Sequence, residues 1–301
     1  MSASLPSTRL HAILARKAPA AVVFRRGPSK QVLLIRWDTE KHLFEAGQWF
    51  KGRIYEHRCD LSPSGAKLVY FAAKHREPFY SWTAVSRPPF LTALALWPKG
   101  DCWGGGGLFR NERILHLNHR PGEMDLAAGF RLPGKIKLEA FGERPGWGED
   151  DPIFSTRLRR DGWSLRSEGP WRENKQGISP WIEWPEPIVW EKVRGKLTLQ
   201  MRILGLKERD GPWYVLEHAV MGPGGDTFLR IGRSDWADWS RSGELLYAKA
   251  GRLYRAAVEP RSGLGTPEEL IDLRGLRFEE AEAPPAALQW GGAPVLGTPL
   301  R

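Results

Sequence analysis

Cysteine is scarce in this chain. Its 301 residues include only two, Cys59 and Cys102. Two cysteines are too few for a disulfide framework, and they lack the number and spacing of a zinc site. We therefore predict a reducing, cytoplasmic location with no metal site, and no motif predicts a cofactor.

Long apolar runs are also missing. The most apolar stretch, Phe90–Trp97, is much shorter than the ~18 residues that a membrane-spanning helix needs. It predicts buried strands and no membrane insertion. The opening segment, MSASLPSTRLHAILARK, lacks the succession of basic, apolar and small residues that marks a signal peptide, so export is not expected.

Glycine and proline, by contrast, are abundant. The 33 Gly and 24 Pro are spread along the chain and divide it into short pieces. Such punctuation is typical of all-β proteins, because glycine and proline supply the turns between short strands. The composition therefore predicts an all-β fold, and 301 residues suffice for one large domain or two smaller ones.

The chain is strongly basic. A formal charge of +10 and an isoelectric point near 9.7 favour an acidic or polyanionic ligand such as nucleic acid. The alternative interpretation is that the arginine content follows the base composition of the genome and serves no dedicated partner.

Alternating and continuous apolar runs predict individual strands. A hairpin is expected at Ala21–Arg26 and Gln31–Trp37, a strand buried on both faces at Lys67–Ala73, and an alternating strand at Lys196–Leu204. The spacing of Leu10, Ile13 and Leu14 predicts a short amphipathic helix over Ser7–Lys17. Long loops, or a blade too degenerate to recognise, are expected at 145–152 and 169–187, where Trp, Pro and Gly occur without periodicity.

Several polar turns lead into apolar runs in a similar way. The four with glycine are Ser62–Gly65 before LVYF, Arg160–Gly162 before WSL, Arg209–Gly211 before WYVL and Ser240–Gly243 before LLY; a fifth, Arg110–Glu112, lacks it. Taken in chain order, at positions 65, 111, 162, 211 and 243, the five turns are separated by 46, 51, 49 and 32 residues. A four-stranded propeller blade occupies ~40–50 residues, so the spacing favours a propeller.

Two of these segments carry a family resemblance. DLSPSGAKLVYF, starting at Asp60, and DWSRSGELLYAKAGRLYR, starting at Asp238, resemble the inner-strand hairpins of β-propellers of the TolB and WD-repeat kind. The resemblance implies a β-propeller of five or six blades. Paired β-sandwich domains are the alternative. The expected organisation is an extension over 1–18, a propeller-like domain over 19–280 and a Pro/Gly-rich tail over 281–301 that could close the ring, with Leu288–Trp290 as its strand.

Titratable residues cluster just before the first of these hairpins. The candidates for acid–base chemistry are His57 and Asp60, together with Asp101 as one of several aspartates placed near turns. The alternative is structural: Asp60 would bond backbone donors in its turn and pair with Arg58 or Arg53. The glycine run Gly104–Gly107 precedes an apparent strand, which favours a tight loop over a phosphate-binding loop.

Tryptophan is the last unusual signal, with 15 residues in the chain. Exposed tryptophan beside arginine stacks on sugars or bases and anchors protein interfaces. The predicted binding residues are Arg53, Arg58, Trp103, Trp171, Trp181, Trp184 and Trp190.

No catalytic signature stands out. We therefore expect a non-enzymatic platform that binds a protein partner. Two alternatives remain open: a glycan-acting hydrolase or lyase with acidic residues at the propeller centre, and a polyanion- or nucleic-acid-binding protein. The sequence does not predict an oligomeric state.

Overall fold

The structure is a computed structural model that describes residues 8–27, 30–169, 183–206, 212–258 and 263–300. These residues form mostly antiparallel β-sheets, which confirms the all-β class. The chain divides into two compact units, Met1–Arg157 with Leu273–Arg301, and Leu158–Asp272. The boundaries expected at residues 18 and 280 stay a prediction.

The first sheet of the first unit contains the predicted hairpin. Its order is β1-β2-β3-β4-β22, with β1 Arg9–Leu14, β2 Ala20–Arg26, β3 Gln31–Asp38, β4 Leu43–Lys51 and β22 Thr298–Leu300. The helix expected over Ser7–Lys17 is wrong, because Arg9–Leu14 pairs with β2 as a strand. Residues 10–13 are all buried, so the run has two covered faces and not one apolar stripe.

The C-terminal segment returns to this sheet. Strand β22 pairs antiparallel with β4, whereas the strand expected at Leu288–Trp290 is wrong: Pro285–Leu288 is a 3-10 turn. Buried Arg87 holds the segment by donating hydrogen bonds to the carbonyls of Ala286, Gly291, Gly292 and Ala293.

The second sheet follows directly in the chain. It is formed by β5 Arg53–Ile54, β6 Asp60–Leu61, β7 Leu68–Ala73, β8 Ser81–Ser86 and β9 Ala95–Pro98. All six residues of β7 are buried, as predicted. Leu68 and Tyr70 belong to a core shared with the first sheet, and Val69 to a core shared with Phe109 and Leu115 of the third. The second sheet is thus covered on both faces.

The third sheet is small and irregular. Its strands are β10 Gly107–Phe109, β11 Ile114–Leu117 and β12 Lys137–Ala140, and β11 pairs with β12 in parallel. A parallel pair departs from the all-antiparallel blades that the resemblance implies. After it comes helix α1, Ile153–Arg160, within which the boundary between the two units falls. No helix in the described ranges is long and apolar enough to cross a membrane.

The second unit contains two further sheets. One is formed in chain order by β13 Ser164–Glu168, β14 Glu183–Arg194, β15 Leu197–Leu206, β16 Tyr214–Met221 and β17 Thr227–Arg233; the other by β18 Trp236–Trp239, β19 Leu245–Lys249, β20 Arg252–Ala256 and β21 Glu268–Asp272. Burial alternates along β15 as the sequence predicts. The loop expected over 169–187 is wrong from Glu183 onward, where β14 has begun.

The two turns that carry the family resemblance are similar in hydrogen bonding, although the first is one residue longer. The Ser62 hydroxyl accepts the Lys67 N–H at 3.1 Å, and the Ser240 hydroxyl accepts the Glu244 N–H at 2.9 Å. Both glycines, Gly65 and Gly243, adopt positive φ. Of the other two glycine turns, Gly162 connects helix α1 to β13 and forms no hairpin, whereas Gly211 lies outside the described residues.

Candidate functional site

Arg58 joins the two segments that flank the first repeat hairpin. Its side chain is 2% exposed, and Nε donates to Asp150 Oδ1 at 2.8 Å. Its NH1 donates to the carbonyls of Cys102 and Gly104, both at 2.7 Å. The expected pairing of Arg58 with Asp60 is therefore wrong, because Arg58 pairs with Asp150. A buried guanidinium with three protein acceptors orders the loop 101–107 and does not face a ligand.

The glycine run in that loop allows neighbouring residues to pack closely against the backbone. At Gly105 a Cβ would collide with the Phe71 ring, at 2.5 Å from Cδ2, and at Gly106 it would lie 2.7 Å from Arg58 Cβ and collide with the Arg58 carbonyl. Gly104, Gly105 and Gly106 also have φ between +70° and +82°. Close approach and backbone conformation both require glycine here. These contacts explain the glycine run, and no phosphate-binding role is needed to explain it.

Asp60 and His57, the predicted acid–base residues, are both buried. Asp60 Oδ2 accepts the N–H of Phe109 in β10 at 2.8 Å. The His57 ring packs edge-on against His11 at 4.8 Å and Phe154 at 4.3 Å. Burial lowers the His57 pKa. Both residues lie within the packed interior of the first unit.

Asp101 lies in a different environment. Its carboxylate is 49% exposed and accepts a hydrogen bond from Lys99 Nζ at 2.9 Å, and Glu123 Oε2 lies 3.0 Å from the same nitrogen. The Lys99 side chain itself is fully buried. Because both oxygens lie within 3.0 Å of one nitrogen, they are at most about 6 Å apart, a limit that admits the carboxyl separation of ~5–5.5 Å in retaining glycosidases. The sequence predicts Asp101 but not its partner.

The electrostatics keep Asp101 ionised. Partial burial alone would raise its pKa, but the hydrogen bonds from Lys99 and from the Trp103 N–H outweigh burial and lower it. Arg120 adds a second favourable charge. A carboxyl held in its charged form serves as a hydrogen-bond acceptor, whereas a general acid needs a raised pKa.

Two exposed tryptophans lie on loops near this carboxylate pair. Trp103 is 45% exposed and Trp147 is 57% exposed. Their loops are joined where Gly104 N–H donates to the Gly148 carbonyl at 2.6 Å. The Asn118 side chain adds hydrogen bonds to the Trp147 carbonyl and from the Gly146 N–H. We call this surface the tryptophan face; it consists of Asp101, Trp103, Arg120, Glu123 and Trp147.

Buried His119 hydrogen-bonds to Thr83 and to the backbone of Glu123, a residue of the tryptophan face. The Glu123 carbonyl, which can only accept, lies 3.0 Å from His119 Nδ1, so Nδ1 carries the proton and donates. In the neutral ring Nε2 accepts from the Thr83 hydroxyl at 2.8 Å, and Thr83 Oγ1 in turn accepts the Gly106 N–H. Burial lowers the pKa of His119 to about 4. The neutral ring thus fixes both the glycine loop and the Glu123 segment.

The remaining predicted binding residues lie elsewhere. Trp184 and Trp190 are 6% and 4% exposed and belong to the core of the second unit, so their indoles do not face solvent. Trp171 and Trp181 lie outside the described residues. Arg53 is partly exposed, with its guanidinium 4.6 Å from the centre of the Tyr55 ring.

Comparison with known proteins adds no assignment. No protein-family model matches the chain, and no curated protein is similar to it. Within the described ranges, no group of three or more His, Cys, Asp or Glu side chains could hold a metal ion.

Proposed function

We propose that this protein is a non-enzymatic interaction platform on a propeller-like fold, and that the tryptophan face contacts a protein partner. The observation that carries the proposal is the exposure of Trp103 and Trp147 on two loops that hydrogen bonds hold in place. Tryptophan and arginine are the residues most enriched at interface hot spots. Pre-ordered loops also reduce the entropy that binding costs.

Three features support a propeller. The sheets follow one another along the chain, and consecutive sheets of the first unit share cores on the two faces of the second sheet. The last strand, β22, returns to the first sheet beside β4. In a propeller such a return closes the ring of blades and leaves only short, protected strand edges. The described sheets fit five blades, one of which is reduced to three strands.

A glycan-acting enzyme is the second candidate, favoured by the spacing of Asp101 and Glu123. Glycoside hydrolysis requires one carboxyl group to be protonated while the other is ionised. The lowered pKa of Asp101 opposes the acid role for that residue, so the geometry supports binding more than hydrolysis.

The test compares wild-type protein with Trp103→Ala/Trp147→Ala in quantitative affinity capture from the native host. The matched control is Phe228→Ala, which removes a 47% exposed ring from the second unit. We expect a partner that the control retains and the double variant loses, with purified partner giving at least tenfold weaker binding to the double variant. Equal binding by both variants, or glycan turnover abolished by Asp101→Asn, would overturn the proposal.

A further inference from the structure

A second surface of the first unit carries unpaired positive charge. Five basic residues lie at or near strand ends there: Lys30, Lys51, Arg53, Lys74 and Arg76. Lys30 precedes β3, Lys51 ends β4, Arg53 begins β5, and the other two lie in the loop after β7. We call these five residues the basic rim. They include one predicted binding residue, Arg53, and share none with the tryptophan face.

Backbone pairing brings the rim together. Gly52 N–H donates to the Lys30 carbonyl at 2.8 Å, and Arg53 pairs with Ala73 across the second sheet. Lys74 Nζ lies 5.4 Å from the centre of the Phe50 ring, one residue before Lys51. The rim therefore gathers strand ends from two neighbouring sheets.

Elsewhere in the described chain several basic side chains pair with carboxylates: Arg26 with Glu56 and Lys67 with Glu112 are examples. Across the described ranges, no rim residue forms an ion pair, and Glu77 is the sole acid in the loop after β7. Four of the five rim residues are exposed. An uncompensated cluster of this kind attracts an anion.

An exposed aromatic ring lies at the end of the same loop. Tyr80 is 41% exposed, and its ring packs edge-on against His75 at 5.1 Å. Lys74 N–H and His75 N–H both donate to the Tyr80 carbonyl at 3.0 Å, which fixes the loop. Basic side chains beside an exposed ring match the way proteins bind single-stranded nucleic acid, where phosphates contact cations and bases stack on aromatics.

We infer that the basic rim, with Tyr80, binds single-stranded nucleic acid without strong sequence preference. The inference does not depend on the tryptophan face. Five phosphate contacts to a single strand give a slope of log affinity against log salt of about −3.5. Raising salt from 50 to 200 mM then weakens binding about a hundredfold.

The experiment measures fluorescence anisotropy of a labelled 15-nucleotide oligo-dT and oligo-U with the full chain, against a duplex of equal length and heparin. Lys51→Gln/Lys74→Gln should reduce the slope to about −2. Tyr80→Leu should weaken single-strand binding about 5- to 100-fold, whereas Tyr80→Phe retains the ring and should bind like wild type. The charge-matched control is Arg113→Gln/Lys135→Gln, two exposed residues outside the rim.

Each outcome decides the inference. Single-strand binding that the rim variant and Tyr80→Leu weaken, and that the matched control preserves, supports it. Absence of binding at 50 mM salt overturns it, as does equal loss in the matched control. Tighter binding of duplex or heparin, with no effect of Tyr80→Leu, also overturns it. Circular dichroism of every variant confirms that the comparison is between folded proteins.

Discussion

The packing of the glycine loop makes a quantitative prediction at Gly106. An alanine there meets two costs: φ of +80°, and a Cβ that lies 2.7 Å from Arg58 Cβ and collides with the Arg58 carbonyl. Gly100 has nearly the same φ, +78°, but nothing lies within 4 Å of its Cβ. The pair therefore separates backbone strain from steric overlap.

The backbone cost is about 1–2 kcal/mol at either position. At Gly106 the Arg58 backbone must also move, which adds about 1–3 kcal/mol as overpacking does elsewhere. We expect Gly100→Ala to lower the free energy of unfolding by about 1–2 kcal/mol and Gly106→Ala by about 2–5 kcal/mol.

Urea denaturation of the full chain measures both variants, with the transition of the first unit followed separately from that of the second. The denaturant slopes should match wild type, so that midpoint shifts report stability. Surface substitutions usually change the free energy of unfolding by no more than about 0.5 kcal/mol. If the free energies of unfolding of the two variants agree to within that amount, Arg58 does not pack on the loop as described.

Two further predictions concern buried ionisable groups. Arg58→Met leaves Asp150 buried without its cation and should cost about 3–5 kcal/mol in urea denaturation; adding Asp150→Leu should restore part of this loss, and no restoration would contradict the ion pair as its main source. Burial lowers the pKa of His218 from 6.5 to about 3, so between these values the unfolded chain binds a proton that the folded chain does not. Stability should therefore fall as pH drops from 6.5 towards 3, His218→Gln should flatten that dependence, and an unchanged pH profile would refute the assignment.

The sequence predicts strands well where local pattern and tertiary burial agree. Strand β15 alternates because one face is buried, and β7 is continuously apolar because both faces are covered. The same logic explains the error at Arg9–Leu14, where an apolar run buried on both sides imitates the stripe of a helix. The periodicity of a short apolar run does not distinguish a buried strand from a helix.

The site was only partly predictable for a different reason. Asp101 and Trp103 stand out in a polar glycine-rich loop, but Glu123 and Trp147 join them only through contacts at Lys99 and Gly148. Such contacts between distant residues leave no local pattern. The predicted residue Arg58 instead became buried, because its acceptors are a distant carboxylate and two loop carbonyls.

The discontinuity of the first unit has a consequence for synthesis. Arg25 donates to the carbonyls of Leu273 and Arg274, and Arg87 to those of residues 286–293, yet the entire second unit is translated before these acceptors exist. The second unit is continuous in sequence and can complete its own sheets first. Until residues 273–300 are synthesised, Arg25 and Arg87 lack these acceptors and the edge of β4 is uncovered, so folding of this protein is expected to finish from its C-terminal residues.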